Sequence, residues 1–137
     1  MNPCIYIIDD ETSICVSLQF ALKAHYRIKT FESAAPALTS IEAEGADIIL
    51  LDLRLGGENG LEVLRRIKQL DPHIEVIMMT AFGSIGTSVE AMKEGAFSYL
   101  TKPINMEELK AILQQAYAVR KLNEQVYYLS DILQSKT

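Results

Sequence analysis

Strand-length apolar stretches at Cys4–Ile8, Asp47–Leu51 and Glu75–Met79 constrain the fold of this chain more than any other feature, because the segments between them carry apolar residues at helical spacing. Ile14, Leu18, Ala21 and Leu22 show that spacing in the first intervening segment. Two further strand candidates, Tyr26–Phe31 and Phe97–Leu100, alternate polar and apolar residues. A continuous apolar run suits a strand covered on both faces, whereas alternation suits the margin of a sheet. Three central strands and two edge strands are therefore expected.

Helices are predicted over Thr12–His25, Ser33–Glu44, Gly60–Leu70 and Ser84–Glu94, with a last one beginning near Met106. Ser33 and Asn105 stand where caps belong, Gly45 and Gly95 where helices stop, and Asp71-Pro72 breaks the third helix. Five βα units result. In the flavodoxin-like strand order 2-1-3-4-5 the two alternating strands fall at the edges, which makes this a doubly wound, right-handed α/β domain with a five-stranded parallel sheet. A chain of 137 residues supports one such core and not two.

Composition excludes several classes of function. The longest apolar runs, Ile5–Ile8 and Ile48–Leu51, are far shorter than the roughly 20 residues a membrane helix needs. The N-terminus has no basic residue ahead of its apolar stretch, so it does not read as a secretory signal, and a cytoplasmic protein is expected. Cys4 and Cys15 have neither CxxC spacing nor a neighbouring histidine cluster and read as buried thiols. A net charge of −5 argues against direct nucleic-acid binding by this segment. His25 and His73 read as surface residues.

The polar residues that end the strands carry the chemistry: Asp9 and Asp10, Asp52, Thr80 and Lys102. In the expected topology all of these carboxyl ends meet at one rim. Three crowded carboxylates repel one another unless a cation joins them, and oxygen-only ligands favour Mg2+. A carboxylate can attack phosphorus to give an acyl phosphate, while a metal, an ammonium and a hydroxyl neutralise the transferring group. Asp52, Lys102 and Thr80 supply the protein's share of those parts.

The set Asp9-Asp10, Asp52, Thr80-Ala81 and Lys102-Pro103 resembles the receiver domain of two-component response regulators, over residues 4 to 118. The resemblance implies that Asp52 accepts a phosphoryl group from a sensor histidine kinase. It implies Mg2+ held directly by Asp10 and Asp52, by Asp9 chiefly through water, and by the backbone carbonyl of Arg54. Lys102 would pair with the phosphoryl group, Thr80 would swing its hydroxyl onto it, and Lys102-Pro103 would be cis. Tyr99 is similar to the family's rotameric aromatic, exposed before phosphorylation and tucked in afterwards. Such a domain is regulatory and not an enzyme in its own right, although it catalyses its own phosphotransfer and dephosphorylation.

One segment departs from the family pattern. Where a proline is common after the acceptor aspartate this chain has Gly56, followed by Gly57, so Arg54 and Glu58 are expected to approach or leave the site with some freedom. Phe82-Gly83-Ser84-Ile85-Gly86-Thr87-Ser88 is poor helix-forming sequence, so the fourth helix is expected to be loosely held and to form an output face with the fifth strand and fifth helix.

Residues 1–118 are read as the receiver domain and 119–137 as a helical extension. Val119, Leu122, Val126, Leu129 and Leu133 recur at steps of three and four, the seam of a coiled coil, with Ile112 extending it backward and Tyr127 and Tyr128 adding apolar surface. A homodimer is expected, leading to an effector domain outside this chain. The Leu51–Leu55 and Met79–Gly83 wording resembles receivers of the nitrogen-regulation type, which precede a DNA-binding AAA+ ATPase that activates sigma-54 transcription. Competing readings fit less well. A haloacid-dehalogenase-like phosphatase needs a second acid where Arg54 stands, and a flavodoxin needs a glycine- and hydroxyl-rich loop where Asp9-Asp10-Glu11 stands. A receiver that serves only as a phosphate-independent dimerisation scaffold is the remaining alternative.

Overall fold

Along a strand, successive side chains face opposite sides of the sheet, and this alternation sorts the apolar runs into two cores. The computed structural model describes residues 2–81 and 83–135, and their side chains except those of Tyr127 and Ser135. In β1 (Cys4–Ile8), Ile5 and Ile7 face one layer while Tyr6 and Ile8 face the other. β3 (Ile48–Asp52) and β6 (Glu75–Thr80) divide in the same way, so every residue of both strands is buried. On one face Leu18 and Leu22 of α1 (Thr12–Leu22) and Leu109, Leu113 and Ala116 of α5 (Met106–Ser135) complete the core. On the other lie α2 (Ala34–Glu44), α3 (Gly60–Leu70) and α4 (Ile85–Lys93), through residues such as Ile41, Leu64, Ile67 and Ala91.

The main sheet is parallel, in the order β2-β1-β3-β6-β7, with β2 (Arg27–Phe31) and β7 (Ser98–Thr101) at its edges. This is the doubly wound architecture and strand order expected from the alternating runs. Edge position explains the composition of β2, whose Arg27, Lys29 and Thr30 remain exposed.

Element ends shift by a few residues, for local reasons. The first helix stops at Leu22 and not His25, because the Leu22 carbonyl accepts both His25 N–H (3.2 Å) and Tyr26 N–H (3.1 Å) and turns the chain. Tyr26 thereby leaves the strand and packs against the α1/α5 core. Asn105 caps α5 through Glu108 N–H at 3.0 Å. Ser84 caps α4 in a capping box with Thr87, whose N–H donates to Ser84 Oγ at 3.1 Å. Ser33 stands at the N-cap position of α2 without a side-chain cap bond. Cys15 is buried, whereas Cys4 is only half-buried.

A small antiparallel hairpin, β4 (Arg54–Leu55) and β5 (Glu58–Asn59), falls between β3 and α3. Two-residue strands leave no periodic signal, which is why the run reads as an open loop in the sequence. Gly56 has φ of 59° at the first position of the two-residue turn, where a hairpin favours glycine. Leu55 is buried in the core, and the Glu58 carboxylate accepts Ala34 N–H at 3.1 Å, away from the rim.

α5 continues unbroken over 30 residues, about 45 Å at 1.5 Å per residue. Beyond Ala116 the seam residues Leu122, Val126, Leu129 and Leu133 are exposed, with Val119 at the margin of exposure, while Ile112 packs against the body. No helix among the described residues is long and apolar enough to cross a membrane.

Candidate functional site

Strand ends place the site. Asp9 N–H bonds to Phe31 O at the end of β1, Leu53 N–H to Met79 O beyond β3, and Lys102 N–H to Thr80 O beyond β7. These bonds carry the sheet pattern one step past the strands and gather Asp9, Asp52 and Lys102 on one rim. Lys102 Nζ lies 2.8 Å from Asp9 Oδ2, 3.3 Å from Asp52 Oδ2 and 3.7 Å from Glu11 Oε1. Asp9 and Asp52 are buried and Asp10 is exposed. The group opens onto a cleft of about 240 Å3 lined by Asp10, Asp52, Arg54, Gly56, Ala81 and Lys102.

The donor set fits a hard divalent cation. Asp9, Asp10 and Asp52 each offer a carboxylate oxygen, all within 4.8 Å of one another. An octahedral Mg2+ with oxygens at roughly 2.1 Å separates its ligands by about 3 to 4 Å, so a slight contraction or one bridging water completes the match. The two oxygens of Asp9 already accept bonds, Oδ1 from Glu11 N–H at 2.9 Å and Oδ2 from Lys102. Asp52 also accepts at both oxygens, but through longer bonds, its Oδ2 taking Lys102 at 3.3 Å. Asp52 Oδ1 is steadied by Arg54 N–H at 3.3 Å.

Charge in this cleft is unevenly shared. Burial first, and then the Asp9 charge, push the Asp52 carboxyl above the ordinary carboxylate range, against the opposing pull of Lys102 and the Arg54 N–H. Burial acts to lower the Lys102 ammonium, but the hydrogen bond and charge of Asp9, followed by Asp52, outweigh it and hold Lys102 above its ordinary value. Lys102 thus stays charged and leans on Asp9. The Asp52 carboxylate, held by the two longer bonds, lines the cleft.

Thr80 is buried at the end of β6 and Ala81 is exposed beside the cleft; Phe82, the next residue of that turn, lies outside the described residues. Tyr99 is half-buried on β7, with its hydroxyl 3.1 Å from Thr87 Oγ1 in α4. The Lys102-Pro103 bond is cis. Gly83 separates these groups, since a Cβ there would lie 3.2 Å from Tyr99 Oη and 3.3 Å from Thr80 Cγ2. Two contributors are not evident from sequence, Glu11 at the rim and Gly60 against the Asp52 and Leu53 backbone. Neither belongs to a motif, and both matter only through contacts made in three dimensions.

Comparison with known proteins agrees with this geometry. Residues 5–114 match the response regulator receiver domain. Over 121 residues the chain is 37% identical to the transcriptional regulatory protein ZraR of Klebsiella oxytoca, covering 88% of this chain and 27% of that protein. It is 37% identical over 113 residues to the DNA-binding transcriptional regulator NtrC of Escherichia coli (strain K12), covering 82% of this chain and 24% of that one. The chain thus spans about a quarter of the length of the curated relatives it matches. Among solved structures, the beryllofluoride-activated NtrC4 receiver domain dimer superposes with a TM-score of 0.82 at 30% identity, covering 85% of this chain and 98% of that one.

Proposed function

Because the chain belongs to the response regulator receiver domain family of two-component systems, we propose that it is a phosphorylation switch in which Asp52 is the phosphoacceptor and a histidine kinase the donor. The observation that carries this reading is the division of labour around Lys102. The ammonium sits between two carboxylates, bonded more closely to Asp9 than to Asp52, at the edge of an open cleft. An Asp52 oxygen attacks phosphorus, the phosphorus–nitrogen bond of the kinase phosphohistidine breaks, and the imidazole leaves with a proton from solvent. Asp10, Asp52 and the Arg54 carbonyl would hold a Mg2+, with Asp9 acting through water, and the ion would supply charge neutralisation for the transferring oxygens. Lys102 then exchanges its Asp52 contact for a phosphoryl oxygen, and the Thr80 hydroxyl turns toward another.

Readout follows from what Thr80 touches. Its movement clears the space that Gly83 keeps narrow, and Tyr99 gives up Thr87 and packs inward. α4, β7 and α5 then form the output face. Residues 119–135 carry the signal outward as a paired helix, supported by the exposed Leu122, Val126, Leu129 and Leu133 seam. Relatives of this chain are named as transcriptional regulators and are more than three times its length, which supports a transcriptional effector in cis of the sigma-54, AAA+ type.

Intact-protein mass after incubation with a small phosphodonor and Mg2+ tests the reading, with oligomeric state read by light scattering on the same samples. One phosphoryl group on wild type and none on Asp52→Ala is the expected result. A folded, Mg2+-treated wild type that gains no mass would instead favour the phosphate-independent scaffold.

A further inference from the structure

Glu58 is exposed and lies outside the cluster at the rim, yet its carboxylate is committed. The first N–H groups of a helix have no partner within it. At the start of α2, Ser33 adopts N-cap backbone geometry but contributes no side-chain bond, and the first turn of α2 contains no acidic residue. Glu58 reaches across from the hairpin to accept Ala34 N–H at 3.1 Å. A carboxylate there is also favoured by the helix dipole.

The hairpin that bears Glu58 is one wall of the cleft. Arg54 pairs with Asn59 and Leu55 with Glu58. Leu55 pins the hairpin into the core, while a Cβ at Gly56 would lie 3.8 Å from Asp10 Oδ2. Arg54 and Gly56 line the cleft itself. Two anchors therefore set where this wall stands relative to Asp10 and Asp52: the Leu55 side chain within the core, and the Glu58 carboxylate on α2.

We propose that Glu58, by bonding the N-terminus of α2, is a positioning residue that holds the β4–β5 hairpin in register with Asp10 and Asp52 and so sets the affinity of the cleft for a divalent cation. The inference rests on the reading of the cleft as a Mg2+ site and adds to it an anchor on a second element. Glu58 touches neither metal nor phosphoryl group. Its effect passes through the backbone of Arg54 and Gly56, as outer contacts commonly govern metal ligands.

The test is a Mg2+ titration of the full chain without phosphodonor, followed by backbone amide shifts of Arg54 and Gly56, with the Ala34 amide reporting the bond. Glu58→Ala is expected to weaken Mg2+ about tenfold. Glu58→Gln keeps an acceptor and loses the charge, and should stay within about twofold of wild type if position and not charge matters. In Glu58→Ala combined with Ser33→Asp, the local cap should restore the thermal midpoint while Mg2+ binding stays weak. Wild-type affinity in Glu58→Ala, equal losses in Ala and Gln, or recovery of Mg2+ binding in the double variant would each overturn the proposal. A wild type with no Mg2+-dependent shift at Arg54 or Gly56 would overturn the metal-site reading together with it.

Discussion

A Cβ at Gly60 would lie 2.5 Å from the Asp52 carbonyl oxygen and 2.7 Å from Leu53 Cα, and Gly60 N–H donates to Leu53 O at 2.7 Å. Both obstacles are backbone, so neither can rotate away. Gly60→Ala should destabilise the fold by about 1–3 kcal/mol, as forced overpacking does, and should slow phosphoryl uptake, because the segment that must move carries Asp52. Thermal melting and the mass assay read the two effects separately; full stability with normal uptake would show that the β3–α3 connection yields freely. Glu75, buried at the start of β6, is a second residue whose environment makes a measurable claim. Burial raises its carboxyl above the ordinary range, more than Lys68, Arg120 and His73 lower it. A folded value above the unfolded one means that the folded state binds the proton more tightly. Stability contributed by the protonated form is present at acid pH and is lost as pH rises through the folded value. Glu75→Gln should therefore melt higher than wild type at neutral pH, and the gap should close as pH falls through the carboxylate range. A gap that widened on acidification would refute this account.

At the scale of elements, α4 and α5 are held in opposite ways. α4 is poor helix-forming sequence with Ala91 as its buried residue, and Ile85, Val89 and Met92 are exposed. It is tied to the body by Arg65 of α3, which reaches Glu90 at 3.3 Å and Glu94 at 3.1 Å, and by the Thr87–Tyr99 hydroxyl contact. Exposed ion pairs contribute little, so an element held this way shifts at small cost, as a switch requires. The start of the α5 extension is fastened instead. Arg120 lies 3.4 Å from Asp47 Oδ1 and 3.2 Å from Asp71 Oδ2, joining α5 to the start of β3 and the end of α3 at the base of the sheet. It is largely shielded from solvent and also meets Glu124 at 3.1 Å. Arg120→Ala should cost about 1–3 kcal/mol, between exposed and fully buried pairs. It should speed amide exchange from residue 121 onward while leaving Leu109–Ala116 protected. Unchanged exchange there would mean that the helix stands without this anchor.

For the whole molecule, the core and the seam make separate demands. The two cores are completed within one chain, whereas Leu122, Val126, Leu129 and Leu133 stay exposed among the described residues. Under the proposed function this seam joins two copies, so Leu122→Glu with Leu129→Glu should abolish self-association in light scattering and leave phosphoryl uptake intact. A wild type that remains monomeric at every concentration would show that the seam meets some other surface.

Much of this molecule was legible in its residues. Apolar runs of strand length with intervening helical periods determine a βα alternation, and runs buried on both faces determine which strands are central, because both patterns report burial directly. The strand-end residues Asp9, Asp10, Asp52, Thr80 and Lys102 were legible for the same reason, since the topology that places the strands also places their ends. What the tertiary structure alone decided are contacts between elements that no period records: Glu58 replacing Ser33 as the acceptor at α2, Gly60 pressed on the Asp52 backbone, Lys102 closer to Asp9 than to Asp52, and Arg120 spanning the base of the sheet. Gly60 acts eight positions from Asp52, and the others are single side chains acting across 24 to 93 positions of sequence. Local propensity says nothing at that range, where the packed layers alone set which atoms meet.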